Sequence, residues 1–283
     1  MEDIDRLKRF IDAVKGAGYQ KGAIVDLRDI SDKDIVLIGD LHARKDNLQK
    51  ILNHNDNIEK LRRNEIFVII LGDAVHSETN LHEMDSSVVI MELIMELKIQ
   101  NKDNFYYLLG NHDYLSDMFV KGGIYQGLEY RKRLRELFGD EYIALYEEFI
   151  CNSPLMLIAA GLVSVHGGPI RSASSLSYIQ NTEVCDESNV SVLEAEWGRW
   201  KDVDISGREP FFNYDKTDVN NFLDKIDMSG AFFIVGHSPK RDGNWHWQLM
   251  PKHHVIFAGH DNTGYAVFKD KDIRFIQVHT LLK

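Results

Sequence analysis

Three short apolar runs lie in the first 113 residues, and segments with helical periodicity precede and separate them. The runs cover 34–40, 66–73 and 105–113, and each passes into a glycine followed by Asp or Asn. The second run is almost wholly apolar, as is typical of a strand buried on both faces. The segments with helical periodicity are 4–16, 45–61 and 84–98. This alternation predicts an α/β fold whose early strands are largely parallel.

The pattern becomes less regular after the third run. Two apolar stretches, 155–160 and 162–168, predict adjacent strands joined through Gly161. The segment 170–215 shows no clear period, and we assign it to long loops and short helices. The remaining predicted elements are a helical segment over 127–150, a helix over 217–227, a strand over 231–237 and short antiparallel strands in the tail.

The composition is that of an ordinary globular protein. The chain has 283 residues, of which 44% are hydrophobic and 27% are charged. It contains 5 prolines and no stretch rich in proline, glycine or serine that resembles an interdomain linker. We therefore expect a single domain over 1–283, with a core over about 34–280 and an N-terminal helix within 1–20.

The formal net charge of −11 limits the classes of partner. An acidic chain is poorly suited to bind a nucleic-acid polymer, because that affinity comes from Lys and Arg neutralising phosphates. A phosphorylated substrate is still compatible, since bound divalent cations add local positive charge that a formal count omits. We expect a phosphoprotein or a nucleotide as the partner.

Localisation signals and cysteine usage predict a cytoplasmic protein. The first ten residues are charged and lack the apolar segment of a secretory signal. No apolar run approaches the roughly 20 residues needed to cross a bilayer, so no membrane partner is expected. Cys151 and Cys185 are far apart and form no Cys-x-x-Cys pair, and we expect both to be free thiols.

Five predicted strands share the way in which they end. Each finishes beside a glycine in Asp, Asn or His. The five segments are Gly39-Asp40-Leu41-His42, Gly72-Asp73, Gly110-Asn111-His112-Asp113, Val165-His166-Gly167-Gly168 and Gly236-His237. One such segment is usually only a turn or a packed histidine. Because ligands of open α/β sheets bind beyond the carboxyl ends of the strands, five in order favour a shared metal site.

The order of these motifs resembles the calcineurin-like metallophosphoesterase superfamily, over about residues 34 to 269. The start of one motif at 72–75 and the segment 145–168, with its aromatic helix, proline, two strands and His-Gly-Gly, resemble the Ser/Thr phosphoprotein phosphatase branch. Ser238 and Pro239 follow His237, so the second histidine of many phosphodiesterase relatives is missing. The resemblance implies a four-layer α/β/β/α sandwich of two mixed sheets, with a di-metal site at the carboxyl ends of the strands.

The resemblance also implies a role for each motif residue. Asp40 and His42 correspond to ligands of a first metal, Asp73 to the carboxylate that bridges both metals, and Asn111, His166 and His237 to ligands of the second. Oxygen and imidazole donors without cysteine suit manganese, which we expect first, with iron or zinc as alternatives. Two such cations would hold a bridging hydroxide for in-line attack on phosphorus.

His112 follows the ligand Asn111 and is the candidate general acid. The family block Val-Asp-Arg-Gly would supply a carboxylate that orients this histidine, but here the residues after Val75 are His76 and Ser77. His76 could orient His112, contact phosphate or lie in a loop. Glu78 could replace the missing carboxylate.

The arginines that bind phosphate in the family are also missing from their expected places, since Ser77 and Leu109 occupy them. Arg208 is the first candidate for this role, and Arg171 and Arg199 are further candidates. We also assign Asn111 to phosphate binding. Trp197 either walls a substrate groove or packs in the core.

Three functions are compatible with these residues. The leading one is a phosphomonoesterase that resembles Ser/Thr protein phosphatases, because of the His-Gly-Gly segment and the single histidine after Gly236. The alternative is a hydrolase of phosphodiesters or dinucleoside polyphosphates, which the Asp at 113 and the lost arginine favour. The third is a metal-binding scaffold without catalysis.

Overall fold

The computed structural model describes residues 2–201, 212–239 and 242–278. The helices are α1 Glu2–Lys15, α2 Lys45–Asn53, a 3₁₀ helix His54–Asp56, α3 Asn57–Arg62, α4 Asp85–Gln100, α5 Gln126–Phe138, α6 Asp140–Asn152, α7 Leu176–Gln180, α8 Val190–Trp197 and α9 Lys216–Lys225. The strands are β1 Gln20–Lys21, β2 Ile24–Leu27, β3 Asp34–Ile38, β4 Ile66–Ile70, β5 Phe105–Tyr107, β6 Val120–Lys121, β7 Ile124–Tyr125, β8 Met156–Ala159, β9 Leu162–Val165, β10 Arg199–Trp200, β11 Asn213–Tyr214, β12 Phe232–Val235, β13 His246–Met250, β14 His253–Ile256, β15 Thr263–Lys269 and β16 Asp272–Val278. Within these described ranges, no helix is long and apolar enough to span a bilayer.

Two large mixed sheets organise the fold. The five-stranded sheet has the order β16-β15-β3-β4-β5, and the seven-stranded sheet has the order β1-β2-β8-β9-β12-β14-β13. Strands β3, β4 and β5 pair in parallel, as the alternation of strands and helices predicts. Strands β9, β12 and β14 also pair in parallel, whereas β8 and β9 form an antiparallel hairpin.

Side chains alternate between the two faces of each sheet and form separate apolar layers. Leu37 and Ile69 of the smaller sheet pack with Leu157 and Ile234 of the larger sheet in one core between the sheets. The next residues along these strands point the other way. In the smaller sheet they pack against α1–α6, and in the larger sheet against α7 and α9. The four-layer α/β/β/α sandwich is therefore confirmed.

Two long helical segments are each interrupted by residues with positive φ. The predicted helix over 45–61 breaks at Asn55 and Asp56, whose φ angles are 52° and 56°. Asn and Asp tolerate this left-handed conformation better than most residues, and it ends one helix before the next begins. The helical segment over 127–150 breaks at Gly139, with φ of 86°.

The antiparallel prediction for the tail is correct for β15 and β16 and only partly correct for β14. Strand β14 lies parallel to β12 and antiparallel to β13, a strand that the sequence pattern did not predict. The chain leaves the sheet after β12, passes through β13 at its edge and returns beside β12. Strand direction follows from that return path, which the apolar pattern of β14 does not encode.

Candidate active site and metal centre

The five motif segments lie at the carboxyl ends of β3, β4, β5, β9 and β12, and none begins more than three residues after its strand ends. Beyond these strand ends lie the six predicted metal ligands, and none has more than 5% of its surface exposed. They are Asp40, His42, Asp73, Asn111, His166 and His237. Buried polar side chains are costly unless they find partners, so the mutual contacts of these residues decide what the site can hold.

Four of the six predicted ligands direct donor atoms at one place. His166 Nε2 lies 3.2 Å from Asp73 Oδ2, 3.2 Å from Asn111 Oδ1 and 3.2 Å from His237 Nδ1. The opposite ring nitrogen of His166 is 2.6 Å from the Leu71 carbonyl, which fixes the direction of Nε2. Donors about 3 Å apart can share an ion at metal–ligand distances of about 2.1 Å. This is the predicted second-metal group.

The first-metal group is more open. His42 Nε2 lies 3.8 Å from Asp40 Oδ2, and His42 Nδ1 lies 3.1 Å from the His76 carbonyl oxygen. Donor atoms of His42, Asp73 and His112 all lie within 4.8 Å of one another. The geometry therefore also admits His112 as a neighbour of the first metal, a role that the sequence did not assign to it.

The charges of the site suit divalent cations. Burial raises the pKa of Asp40 to about 6, with the charge of Asp73 adding to the effect and that of His166 opposing it. Burial also disfavours the charged form of His166, but the carboxylates of Asp73 and Asp40 outweigh it and raise this pKa to about 10. Without cations, a protonated His166 would thus offset the negative charge of the two buried carboxylates. Metal cations would offset the same negative charge, and the oxygen and imidazole donors of these residues suit such ions.

Two further side-chain atoms near the cluster are buried without a partner. Asn111 Nδ2 and His237 Nε2 find no hydrogen-bond partner among the described residues. Buried side-chain atoms of this kind usually have a partner in a complete structure, and an unpartnered one needs an explanation such as a missing ion or ligand. Both belong to residues of the predicted second-metal group, but the atoms that face His166 are Asn111 Oδ1 and His237 Nδ1. The free N–H groups of Asn111 Nδ2 suit a phosphate oxygen and not a cation.

Three of the predicted ligands have left-handed backbone. The φ angles are 44° at His42, 51° at Asp73 and 60° at His237. Such conformations cost roughly 1–3 kcal/mol each in non-glycine residues and persist where the surrounding structure imposes them, often at functional sites. The sharp turns direct the side chains beyond the strand ends and toward one another.

Two motif glycines allow the strand ends to approach closely. A Cβ atom on Gly110 would lie 2.3 Å from Asp73 Oδ1, and one on Gly236 would lie 2.1 Å from Asp40 Oδ1. Any larger residue at either position would displace a predicted ligand carboxylate. Glycine is therefore required by the site itself as well as by the turn.

His112 lies against both Asp73 and His76. Its backbone N–H donates to Asp73 Oδ1 at 2.9 Å, and its ring Nδ1 lies 3.2 Å from His76 Nδ1. Burial lowers the pKa of His76 to about 3, so this ring is neutral and its Nδ1 can accept a hydrogen bond from the Nδ1–H of His112. Glu78 instead has its carboxylate 3.9 Å from His42 Nε2 and pairs with Lys121. Of the two alternatives for orienting His112, the geometry favours His76.

Asp113 is part of the site, although the sequence reasoning gave it no role. Its carboxylate accepts the backbone N–H groups of Gly110 at 2.8 Å and Asp73 at 3.3 Å, and the Tyr107 hydroxyl at 2.5 Å. Burial and the charge of Asp73 raise its pKa to about 7. Asp113 thereby ties the turn after β4 to the turn after β5. The sequence signal that could have identified Asp113 is its position as the fourth residue of the Gly-Asn-His-Asp motif.

A sequence profile described as calcineurin-like phosphoesterase matches residues 33–263. The chain belongs to this family. It is therefore a metal-dependent phosphoesterase, a hydrolase, and membership of the family implies two divalent metal ions. A search of curated protein sequences found no match.

Solved phosphatase structures share the fold of this phosphoesterase. One is a protein serine/threonine phosphatase from Saccharomyces cerevisiae with similarity to human phosphatase PP5, at a TM-score of 0.72 and 12% identity. That alignment covers 99% of this chain and 90% of the yeast chain. Another is a cold-active protein-tyrosine phosphatase of a psychrophilic Shewanella species, at a TM-score of 0.58 and 12% identity, over 95% and 84% of the two chains. At these identities the likeness shows the fold alone.

The candidate arginines of the phosphoesterase differ in their surroundings. Arg208 lies outside the described residues. Arg171 is engaged by Glu194 at 3.2 Å and by the Asn213 carbonyl at 3.0 Å. Arg199 donates from Nη1 to the His237 carbonyl at 2.8 Å. Burial lowers the pKa of Arg199, while the charges of Asp40 and Asp73 act in the opposite direction. Arg199 is therefore the described arginine candidate that adjoins the predicted ligands.

We expect Arg199→Gln to lower kcat/KM by roughly 10-fold to 100-fold, because charge-assisted bonds to a phosphate oxygen would be lost. The matched variant Arg171→Gln removes the same charge beside Glu194, and it should lower thermal stability with little effect on kcat/KM. Steady-state kinetics and melting temperatures of both variants test this assignment. Equal kinetic losses in the two variants would contradict it.

Proposed function

We propose that this phosphoesterase is a phosphomonoesterase that uses two divalent cations, in the manner of Ser/Thr protein phosphatases. The observation that carries the proposal is the convergence of Asp73, Asn111, His166 and His237 around one point, with donor atoms 3.2 Å from His166 Nε2. Asp40 adjoins this cluster, since its carboxylate accepts the backbone N–H of His237 at 3.0 Å, and His42 Nε2 lies 3.8 Å from Asp40 Oδ2. A scaffold that only stabilised the fold would not need so many buried donors in contact.

Each residue then has a role in hydrolysis. Bound cations would supply positive charge to the phosphoryl oxygens and a water that ionises near neutral pH. Asp73 faces both groups, since its Oδ2 lies 3.2 Å from His166 Nε2 and one of its carboxylate oxygens lies within 4.8 Å of a ring nitrogen of His42. Arg199 would hold a phosphate oxygen, and His112 would donate a proton to the leaving oxygen.

The protonation of His112 depends on the substrate. Burial lowers its pKa well below the ordinary value, with Asp73 opposing that effect, so the ring is neutral before substrate binds. A phosphate dianion beside the ring would favour the protonated form, as any nearby negative charge does. His76 Nδ1, at 3.2 Å, would then accept the Nδ1–H of His112 and leave Nε2–H for the substrate.

A phosphodiesterase or dinucleoside polyphosphate hydrolase is the second candidate. Ser77 stands where the phosphatases of the family carry an arginine, and among the described residues its hydroxyl contacts Thr79 and Asn80 of its own loop. A phosphodiester carries one negative charge fewer than a monoester dianion and needs fewer cationic partners. The loss of this arginine therefore favours the alternative.

We further propose manganese as the metal, with iron or zinc as substitutes, because the donors are oxygens and imidazoles. The substrate would be a phosphoprotein or a nucleotide and not a nucleic-acid polymer, given the net charge of −11. Cys151 and Cys185 are both free, which is typical of the reducing cytoplasm.

A substrate panel tests this function. Protein stripped of metal and reloaded with Mn²⁺, Fe²⁺ or Zn²⁺ should release phosphate from p-nitrophenyl phosphate and from phosphopeptides, and a chelator should abolish the release. Cleavage of bis-p-nitrophenyl phosphate or a dinucleoside tetraphosphate without action on monoesters would support the second candidate. If two ions bind per chain and no substrate turns over, the scaffold hypothesis replaces both.

A further inference from the structure

Two aromatic rings lie beside the predicted catalytic groups and have no role in holding metals. The ring of Phe119 has its centroid 3.6 Å from that of His112, at an interplanar angle of 43°. Trp197 lies 6.0 Å from Phe119 and 6.2 Å from His237. Phe119 precedes the hairpin of β6 and β7, and Trp197 ends α8. We call Phe119 and Trp197 the aromatic pair.

The aromatic pair is only partly buried, unlike the ligands that it touches. Both rings are of intermediate exposure, whereas His112 and His237 are buried. Met118, next to Phe119, has 47% of its surface exposed. Rings that served only to fill a core would be covered on both faces. Here two separate segments present apolar rings to solvent at an otherwise charged site.

The position of the aromatic pair relates it to the leaving group of the substrate. His112 must reach the ester oxygen that departs, so the group attached to that oxygen lies next to the His112 ring. Phe119 is in contact with the same ring. A ring bonded directly to the ester oxygen would therefore contact Phe119, and Trp197 lies 6.0 Å beyond Phe119 between ring centroids.

We propose that the aromatic pair binds the leaving group and selects phosphate monoesters whose ester oxygen is carried by a planar aromatic ring. This inference rests on the proposed hydrolysis. The oxygen of water bonds to phosphorus, and the bond between phosphorus and the aryl oxygen breaks. His112 gives the proton on Nε2 to the aryl oxygen, and a proton lost by the water restores His112. Aryl phosphates, including phosphorylated tyrosine, have this chemistry. A nucleoside 5′-phosphate places its base beyond a ribose and would not reach Phe119 in the same way.

The test compares binding so that the intrinsic reactivity of aryl esters does not enter. Benzylphosphonate and cyclohexylmethylphosphonate have similar size and charge but differ in planarity and π-electrons. Calorimetric titration of Mn-loaded protein should show about threefold to tenfold tighter binding of benzylphosphonate, the range expected for aromatic stacking. Phe119→Leu and Trp197→Leu should each bring this ratio toward one while they retain metal content and binding of inorganic phosphate.

Tyr178→Leu is the matched control, because Tyr178 is 46% exposed on α7. It should leave the ratio unchanged. A ratio near one in the unmodified protein, an unchanged ratio in both variants, or the absence of phosphonate binding would overturn the proposal. So would a preference for adenosine 5′-phosphate over ribose 5-phosphate without an aryl preference. If the aryl preference is present and turnover is absent, the hydrolytic function fails and the binding role of the aromatic pair stands.

Discussion

Asp73→Asn is expected to lower phosphoesterase activity by about a thousandfold or more and to reduce the metal content of the protein. Asp73 is 1% exposed, and its Oδ2 faces His166 Nε2 and His112 Nε2. Burial opposes its ionisation, but His166 and His112 hold its pKa well below the ordinary value, so the native side chain is an anion. Asparagine keeps the shape and removes the charge that both predicted metal groups share.

The measurement combines metal analysis with kinetics. After dialysis against limiting Mn²⁺, the Asp73→Asn protein should retain less than one ion per chain, while the unmodified protein should retain two. Asp26→Asn is a suitable control, because Asp26 lies on β2 and its carboxylate pairs with Arg28 and Lys21. It should keep full metal content and activity. An Asp73→Asn protein with two tightly bound ions would show that Asp73 does not bridge the metals.

Local sequence was sufficient to predict the strands that carry the site. Strand β4 lies at Ile66–Ile70, inside the apolar run that predicted it, and every residue of it is buried. A strand covered on both faces has no polar positions, so its sequence signal is strong. The polar residues after each strand were also visible, and the structure brings the six predicted ligands together. Their role as ligands remains a prediction for the metal analysis.

Features that depend on distant contacts could not be predicted in the same way. Arg171 is five residues after His166, yet its side chain binds Glu194, which lies 23 positions further along the chain. Arg199 reaches the His237 carbonyl, 38 residues away. The distance of an arginine from a motif along the chain therefore does not predict whether its guanidinium lies beside the site. The direction of β14 could not be predicted for the same reason, because it depends on the pairing of β14 with β12.

The role of His76 is a further case. Its sequence position showed only that the family's carboxylate was absent. The structure adds that its ring lies against His112, its carbonyl oxygen against His42, and its backbone N–H donates to Ser87 at 2.8 Å. These contacts come from three separate segments. The two backbone contacts hold the turn at His76, and the ring contact directs its Nδ1 at His112. The positioning role of His76 depends on its contacts with His112, His42 and Ser87, which the sequence does not show.

His112→Asn is expected to slow turnover by about a hundredfold or more while both metals stay bound. The loss should depend on the leaving group. Because p-nitrophenolate is a much weaker base than other phenolates, it can depart without a proton, so p-nitrophenyl phosphate should lose least. A phosphoserine peptide, whose alkoxide needs protonation, should lose most. A purely structural defect would reduce both rates by the same factor. Metal content measured on the same protein decides whether His112 also belongs to the first-metal group.

His76→Gln extends the same experiment to the positioning residue. Its ring lies 3.2 Å from His112 Nδ1, so its loss should slow turnover by roughly tenfold, less than the loss of His112 itself. If His76 acts only through His112, the double variant should be no slower than His112→Asn alone, because residues that act as one unit are not additive. Multiplied losses in the double variant would mean that His76 contributes independently, through its contact with His42. Loss of metal from His112→Asn would instead show that His112 is a ligand and that another group protonates the leaving oxygen.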